Sequence, residues 1–290
     1  MAGLKELRIR ISSVKSTRQI TSAMKMVAAA KLKGAQDRIT GLRPYADNLR
    51  TIASALNNSE NEKFISPFML PSKSNEVLIV LFTSNRGLCG GFNNNVLKYA
   101  VEWAEKNYAE AMAQHKVSFY CIGKKGGELI KRRGFHVERT NFAVYDSLTY
   151  KDVCVVAADL MKLFIEGRYG IIDLAFNKFK NAGVQIQTVE QFLPVPPPPD
   201  QKLPENYIIE PDVKTLMDEV VPRIVRMHFF KALLDSFAAE QGARMTAMHQ
   251  ATDNATELIR ELTLQYNKAR QAAITAEILE ITGGAEALKS

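Results

Sequence analysis

The chain has 290 residues, 46% hydrophobic and 24% charged, which is enough apolar material for a core in one or two domains and too much for a disordered tail. Its net charge of +7 is concentrated: residues 1–57 carry eleven Lys and Arg against three Asp and Glu, so the rest of the chain sums to −1. No apolar run approaches the ~18 residues of a membrane span and the start lacks a signal-type apolar block, so a protein kept in the cytoplasm is expected.

From Leu4, alternating steps of three and four residues visit Leu7, Ile11 and Val14, then Arg18, Thr21 and Lys25, then Ala28, Leu32, Ala35, Ile39, Leu42, Ala46, Leu49, Ala53 and Leu56. This is the repeat of a coiled-coil helix. Around the polar interruption at 18–25, Ile20, Met24 and Val27 carry an apolar stripe one position earlier and predict that the seam rotates or opens there. Gly41 and Pro44 lie inside the pattern, and an interior proline costs a helix about 3 kcal/mol, so a bend or break is expected at 41–44.

After a polar loop (57–75), Val77–Phe82 is a continuous apolar run, as in a strand buried on both faces. A glycine-rich turn, Thr83–Asn93, leads to a helix expected over 94–114. A strand is predicted at 117–122 and helices at 124–133 and 150–168. Two further strands at 171–179 and 184–192 are joined by a turn, and the polar alternation of the second suits a sheet edge. Pro194–Pro199 opens a stiff connector at 194–204.

The three-four repeat then returns from Val213 to Gly283 with only Pro222 inside it; at 1.5 Å per residue it would reach roughly 110 Å. The two terminal helices are most simply partners. If the middle folds compactly they run antiparallel, and counting back from the junction sets Met1 opposite residue 268 and Lys25 opposite Arg244. The last twenty or so residues would then project alone by about 30 Å. They carry Ile274, Ile278, Leu279, Ile281 and Leu288, and such a face requires a cover. The Lys25–Arg244 pairing would be repulsive if buried, which marks mid-shaft as an interaction site or the register as offset.

The expected fold is thus α/β, with a long antiparallel two-helix coiled coil formed by the N- and C-terminal helices plus a three-layer α/β domain with a mostly parallel sheet. The segments are 1–57, 58–211 and 212–290. Chemistry is sparse. Gly87, Gly90 and Gly91 form neither G-x-G-x-x-G nor a Gly-Lys-Ser/Thr phosphate loop, and read as a structural strand-to-helix turn. His115, His136, His228 and His249 lack metal-ligand spacing, and Cys89, Cys121 and Cys154 read as single reduced thiols. Neither a nucleophile nor a general base is nominated, and no catalytic, cofactor or metal site is expected. The basic first segment leaves acidic protein, nucleic acid or anionic lipid as partner chemistries.

Three stretches in order carry a family resemblance: Ile20–Ala30 (ITSAMKMVAAA), Ser84–Asn93 (SNRGLCGGFN), and Ala243–Ala255 with Tyr266–Ile278 (ARMTAMHQATDNA, YNKARQAAITAEI). Together they resemble the gamma subunit of the rotary F-type ATP synthase, bacterial type. Asn85 stands where that family often has Asp, and the chloroplast regulatory cysteine insertion is absent. The resemblance implies a non-catalytic central rotor, one copy per complex, coupling rotation of the proton-driven membrane ring to the catalytic beta subunits. Its implied partners are the alpha and beta hexamer, the epsilon subunit and the membrane-embedded c-ring, with no nucleic acid, no cofactor and no membrane insertion. Its implied location is peripheral, on the cytoplasmic face of the inner membrane. Arg270 and Gln271 match the pair that meets a catch loop of beta. Met24, Lys25 and Met26 match the segment beside an acidic helix-turn-helix of beta, and Tyr207, Ile208, Ile209 and Glu210 match the stretch resting on the ring.

Overall fold

The computed structural model describes residues 3–57, 66–72, 74–196, 210 and 212–287. These form two units, one made of residues 1–27 with 245–290 and the other of residues 28–244. Two helices thread both: α1, Leu4–Asn57, and α7, Val213–Ala287.

In the second unit a five-stranded sheet has the order β3-β2-β1-β4-β5. The strands are β1 Val77–Phe82, β2 Val117–Ile122, β3 His136–Asn141, β4 Ile171–Asn181 and β5 Val184–Leu193. The first four are parallel and β5 pairs antiparallel with β4 at the edge, so the mostly parallel sheet and its polar edge strand are as expected. The uninterrupted apolar run of β1 has a direct cause, because alternate residues enter two different cores. Leu78, Val80 and Phe82 join α6 (Tyr150–Ile165) and the apolar residues of α1 and α7 on one face. Val77, Ile79 and Leu81 meet α2 (Phe92–Asn107) and α4 (Lys124–Arg132) on the other. That is the three-layer arrangement.

Several boundaries differ from expectation. The helix predicted over 94–114 is two, α2 and the short α3, Ala109–Ala113. The break falls at Tyr108 (φ −130°, ψ 38°), whose hydroxyl donates to Asp173 Oδ2 at 2.7 Å. Strand β3 and the four-residue α5, Val144–Ser147, were unforeseen: His-Val-Glu-Arg-Thr-Asn lies half exposed at a sheet edge and shows no apolar run.

Of the bend or break expected at 41–44, no break occurs: α1 runs as one helix through Gly41 and Pro44. Leu42 and Ala46 bracket the proline and pack, with Ile39 and Leu49, on the core shared with β1 and α6. Tertiary contact on both sides holds the turn that the pyrrolidine ring weakens. Helix α7 likewise continues through Pro222.

In the first unit α1 and α7 run antiparallel. Arg8 Nη2 donates to the Tyr266 hydroxyl at 3.0 Å, the Thr21 and Thr252 hydroxyl oxygens are 2.8 Å apart, and Lys25 Nζ is 3.4 Å from His249 Nδ1. The simple count would set Arg8 opposite Glu261, Thr21 opposite Met248 and Lys25 opposite Arg244, so the true register is shifted by four or five residues. The seam does not rotate at 18–25. Thr21 is buried, Arg18 and Lys25 are half-buried, and Ile20 and Val27 stay 60% and 56% exposed. The polar residues keep their seam positions because Thr21 and Lys25 find polar partners across it, whereas Ile20 and Val27 of the neighbouring apolar stripe face outward and Met24 is half-buried.

Candidate functional site

In an open sheet of order 3-2-1-4, ligands lodge at the carboxyl ends of β1 and β4, where the strand order reverses and the turn after β1 presents its amides. Here the crevice is filled by the chain itself. Buried Ser84 accepts and donates within the turn: its N–H goes to Asn93 Oδ1 at 2.9 Å and its hydroxyl to Arg86 O at 2.7 Å. Asn93 Nδ2 returns a bond to Ser84 Oγ at 2.8 Å and one to Cys89 Sγ at 3.4 Å. Asn177 of β4 donates to Phe92 O at 3.3 Å. From α7, Arg244 donates to the carbonyls of Gly87 and Arg86 and, at 2.6 Å, to Glu240 Oε1. Ala239 packs on Cys89 and Phe92.

The electrostatics follow from that closure. Burial pushes the Glu240 carboxyl above its ordinary range, with the Arg244 guanidinium pulling the other way. Burial likewise raises the Cys89 thiol, so the cysteine is protonated and inert. Cys121 is buried and its thiol is pushed up to about 12, while Cys154 is half-buried; all three are free thiols.

Within the turn, Gly90 takes a left-handed φ of +59°, which its missing side chain permits. Gly91 leaves room for Asn95, whose amide would lie 3.0 Å from an added Cβ, and Gly87 faces open space without a positive φ. Leu88, 67% exposed, takes φ 64° despite its side chain. Asn85 uses both ends of its amide: Nδ2 donates to Phe142 O at 3.0 Å and Oδ1 accepts from Lys124 N at 3.1 Å. A carboxylate at this position could make only the second of these bonds.

The residues matched to partner contacts lie on α1, on α7 and before α7. Met24 and Lys25 are half-buried, Met26 is 65% exposed, and Arg270 and Gln271 are exposed. Lys25 lies beside His249, twenty-one residues before Arg270 on α7, so the two groups are separated by roughly 30 Å of helix. They form two patches. Glu210 is exposed, and Tyr207, Ile208 and Ile209 lie outside the described residues. Beyond residue 270 every α7 side chain from Gln271 to Ala285 is exposed, including Ile274 at 48%, Ile278 at 54%, Leu279 at 65% and Ile281 at 66%.

Sequence reasoning missed the Arg244–Glu240 pair on the turn carbonyls, although their spacing of four on a helix was visible. It also missed Asp173, buried in β4 and bonded by Tyr108 and by Trp103 Nε1 at 3.2 Å. A cleft of about 490 Å³ opens at the amino ends of β1, β2 and β4, lined by Glu76, Lys106, Tyr108 and Lys116 among others. Among the described residues no group of His, Cys, Asp and Glu could hold a metal ion, and no helix is long and apolar enough to cross a membrane.

A family model described as ATP synthase matches residues 3–288. Among curated relatives, the ATP synthase gamma chain of Flavobacterium johnsoniae is 48% identical over 290 residues, covering 99% of each chain. That of Salinibacter ruber is 42% identical over 100% of this chain and 99% of its own. Among solved structures, a chain of the Euglena gracilis mitochondrial ATP synthase, in an assembly described as OSCP/F1/c-ring, superposes with a TM-score of 0.67 at 20% identity. The match covers 98% of this chain and 94% of that one. A chain of the Tetrahymena thermophila mitochondrial ATP synthase central stalk and c-ring gives 0.56 at 23% identity, covering 80% and 99%. The structural likenesses establish a common fold, and the family model and the relatives establish that the chain belongs to the ATP synthase gamma chain family.

Proposed function

We propose that this chain is the central-stalk rotor of an ATP synthase, coupling rotation of a membrane ring to conformational change at catalytic sites carried by other subunits. The observation that carries it is the bare end of α7, where Ile274, Ile278, Leu279 and Ile281 stand exposed on a helix with no covering element among the described residues. A single exposed helix of this length is marginal in water unless its apolar side chains are sheathed, and a hexamer of alpha and beta subunits is the sleeve that the family supplies.

Contacts follow from this reading. Arg270 and Gln271 meet a loop of beta near the tip. Met24, Lys25 and Met26, in the basic first segment, meet carboxylates of beta. Tyr207, Ile208, Ile209 and Glu210 rest on the ring beside epsilon, on the cytoplasmic face of the inner membrane, with one copy per complex. On this reading the subunit is non-catalytic, which is supported by Arg244 bonding and Ala239 packing on the turn after β1, where a nucleotide would bind in this sheet order. Rotor angle then acts as a conformational effector whose different contacts bias three beta sites in turn.

The test is reconstitution. Alpha and beta subunits with this chain should co-purify as one complex and hydrolyse ATP, whereas the isolated chain should neither bind ATP stoichiometrically nor hydrolyse it. Stoichiometric ATP binding by the chain alone would contradict the reading.

A further inference from the structure

The stretch of α7 from Ala239 to Arg244, roughly one and a half turns, lies against both the glycine turn and the β4–β5 hairpin. On one side Ala239 packs against Cys89 and Phe92 beside Phe179 and Ala243. On the other, Gly242 lies so close to the β4–β5 hairpin that an added Cβ would be 3.2 Å from Ala182 Cα and 3.4 Å from the Phe179 ring. Earlier turns of α7 are fixed by Phe229, Phe230, Leu233 and Leu234 in the shared core; in this later stretch the alanine and glycine surfaces are smooth, so they fix how near the helix lies but weakly resist its turning about its own axis. Arg244 is different in kind. Its planar fork reaches the Arg86 and Gly87 carbonyls at the apex of the glycine turn, while Glu240, one helical turn earlier, accepts from the same guanidinium and orients it. Each residue of helix rotation is about 100°, so slippage by one position would carry the fork off both carbonyls. Arg244 is the last residue of α7 in the unit that contains the sheet.

We propose that Arg244, oriented by Glu240, is the positioning residue that locks the rotational phase of the last stretch of α7 held by the α/β unit, so that torque at this end of the helix passes through the Arg86–Gly87 carbonyls instead of being lost as slip. This rests on the rotor reading above. Cys89, 1% exposed beneath the same turn, reports on the lock without taking part in it.

The experiment uses the complete synthase in membrane vesicles with Arg244→Gln, Arg244→Lys and Glu240→Gln, reading ATP hydrolysis and ATP-driven proton uptake together. It also uses the full chain with Cys121→Ala and Cys154→Ala, reading the rate of maleimide labelling at Cys89. Arg244→Gln should leave hydrolysis within about twofold, lower protons moved per ATP by about threefold or more, and speed Cys89 labelling about tenfold as the turn opens locally. Arg244→Lys, which keeps the charge but not the fork, should fall between, and it supplies the readout if the glutamine variant fails to fold. Unchanged coupling with any labelling rate overturns the proposal, as does lost coupling with unchanged labelling, which would place the action of Arg244 on a partner. If the unsubstituted chain itself supports no pumping, the rotor reading fails instead.

Discussion

Thr21 of α1 and Thr252 of α7 face each other in the seam of the helical pair with their hydroxyl oxygens 2.8 Å apart. Each hydroxyl is also within reach of its own helix backbone, Thr21 at Arg18 O (3.0 Å) and Thr252 at Met248 O (2.7 Å). One proton therefore serves the cross-helix bond, and a polar pair at this position specifies register as a buried polar residue does in other coiled coils.

Replacing Thr21 alone with valine should cost about 0.5–1 kcal/mol, because the partner hydroxyl loses its cross-helix bond but keeps its own carbonyl. Replacing both should return stability to within about 0.5 kcal/mol of the parent, since apolar pairs of similar shape are nearly neutral. Denaturant midpoints of the four chains check this, and additive losses would show that the two hydroxyls do not interact.

Gly34 and Gly41 are exposed inside α1 with open space where a Cβ would lie. Gly41→Ala should stabilise the chain by about 0.5–1 kcal/mol, and Gly34→Ala by a similar amount. Gly123→Ala should do the opposite: its φ of +102° and a Cβ placed 2.1 Å from Thr83 O force the backbone apart, a loss of about 3 kcal/mol or more. Thermal unfolding of the three variants separates the two kinds of glycine.

The central features of the fold were legible because they rest on periodicity. The heptad positions of α1 and the unbroken apolar run of β1 each report burial on a repeating face, whereas at the start of α7 the buried residues are Met217 and Val221, one position after the repeat's Leu216 and Val220, and Arg223 of the repeat is exposed. Strand β3 was not legible, because His136, Glu138 and Arg139 sit at an edge where nothing requires apolar side chains. Nor was the register: polar Arg18, Thr21 and Lys25 looked like a gap in the seam, yet partners that only the folded chain supplies, Thr252 and His249, keep the last two of them there. The Arg244 contacts were hidden for the same reason, since backbone carbonyls at residues 86 and 87 leave no trace in composition.

Asp173 gives a pH signature. Burial raises its pKa, against the lowering effect of the Tyr108 and Trp103 donors, so the folded state holds this proton more tightly than the unfolded one. Its contribution to stability is then greatest below the unfolded value of about 3.9 and declines as pH rises through the raised folded value. Asp173→Asn removes that decline while keeping an acceptor for both donors. Denaturation of the two chains between about pH 3 and 7 should show the asparagine variant gaining relative to the parent as pH rises; a constant difference would contradict the assignment.

Lys25 tests the contact with beta. If Lys25 meets carboxylates of beta as proposed, Lys25→Glu in the assembled synthase should lower protons moved per ATP by about twofold to tenfold, with Lys25→Arg close to the parent. Equal coupling in all three in membrane vesicles would make the basic stripe of α1 a solvated face only.

The uncovered end of α7 is what a rotor needs most, and amide hydrogen exchange measures it directly. In the isolated chain, residues 271–287 should exchange quickly as a frayed helix; assembled with alpha and beta subunits, the same amides should become protected by about a hundredfold or more. Strong protection in the isolated chain, or none on assembly, would contradict a rotor whose tip is sheathed by its partners.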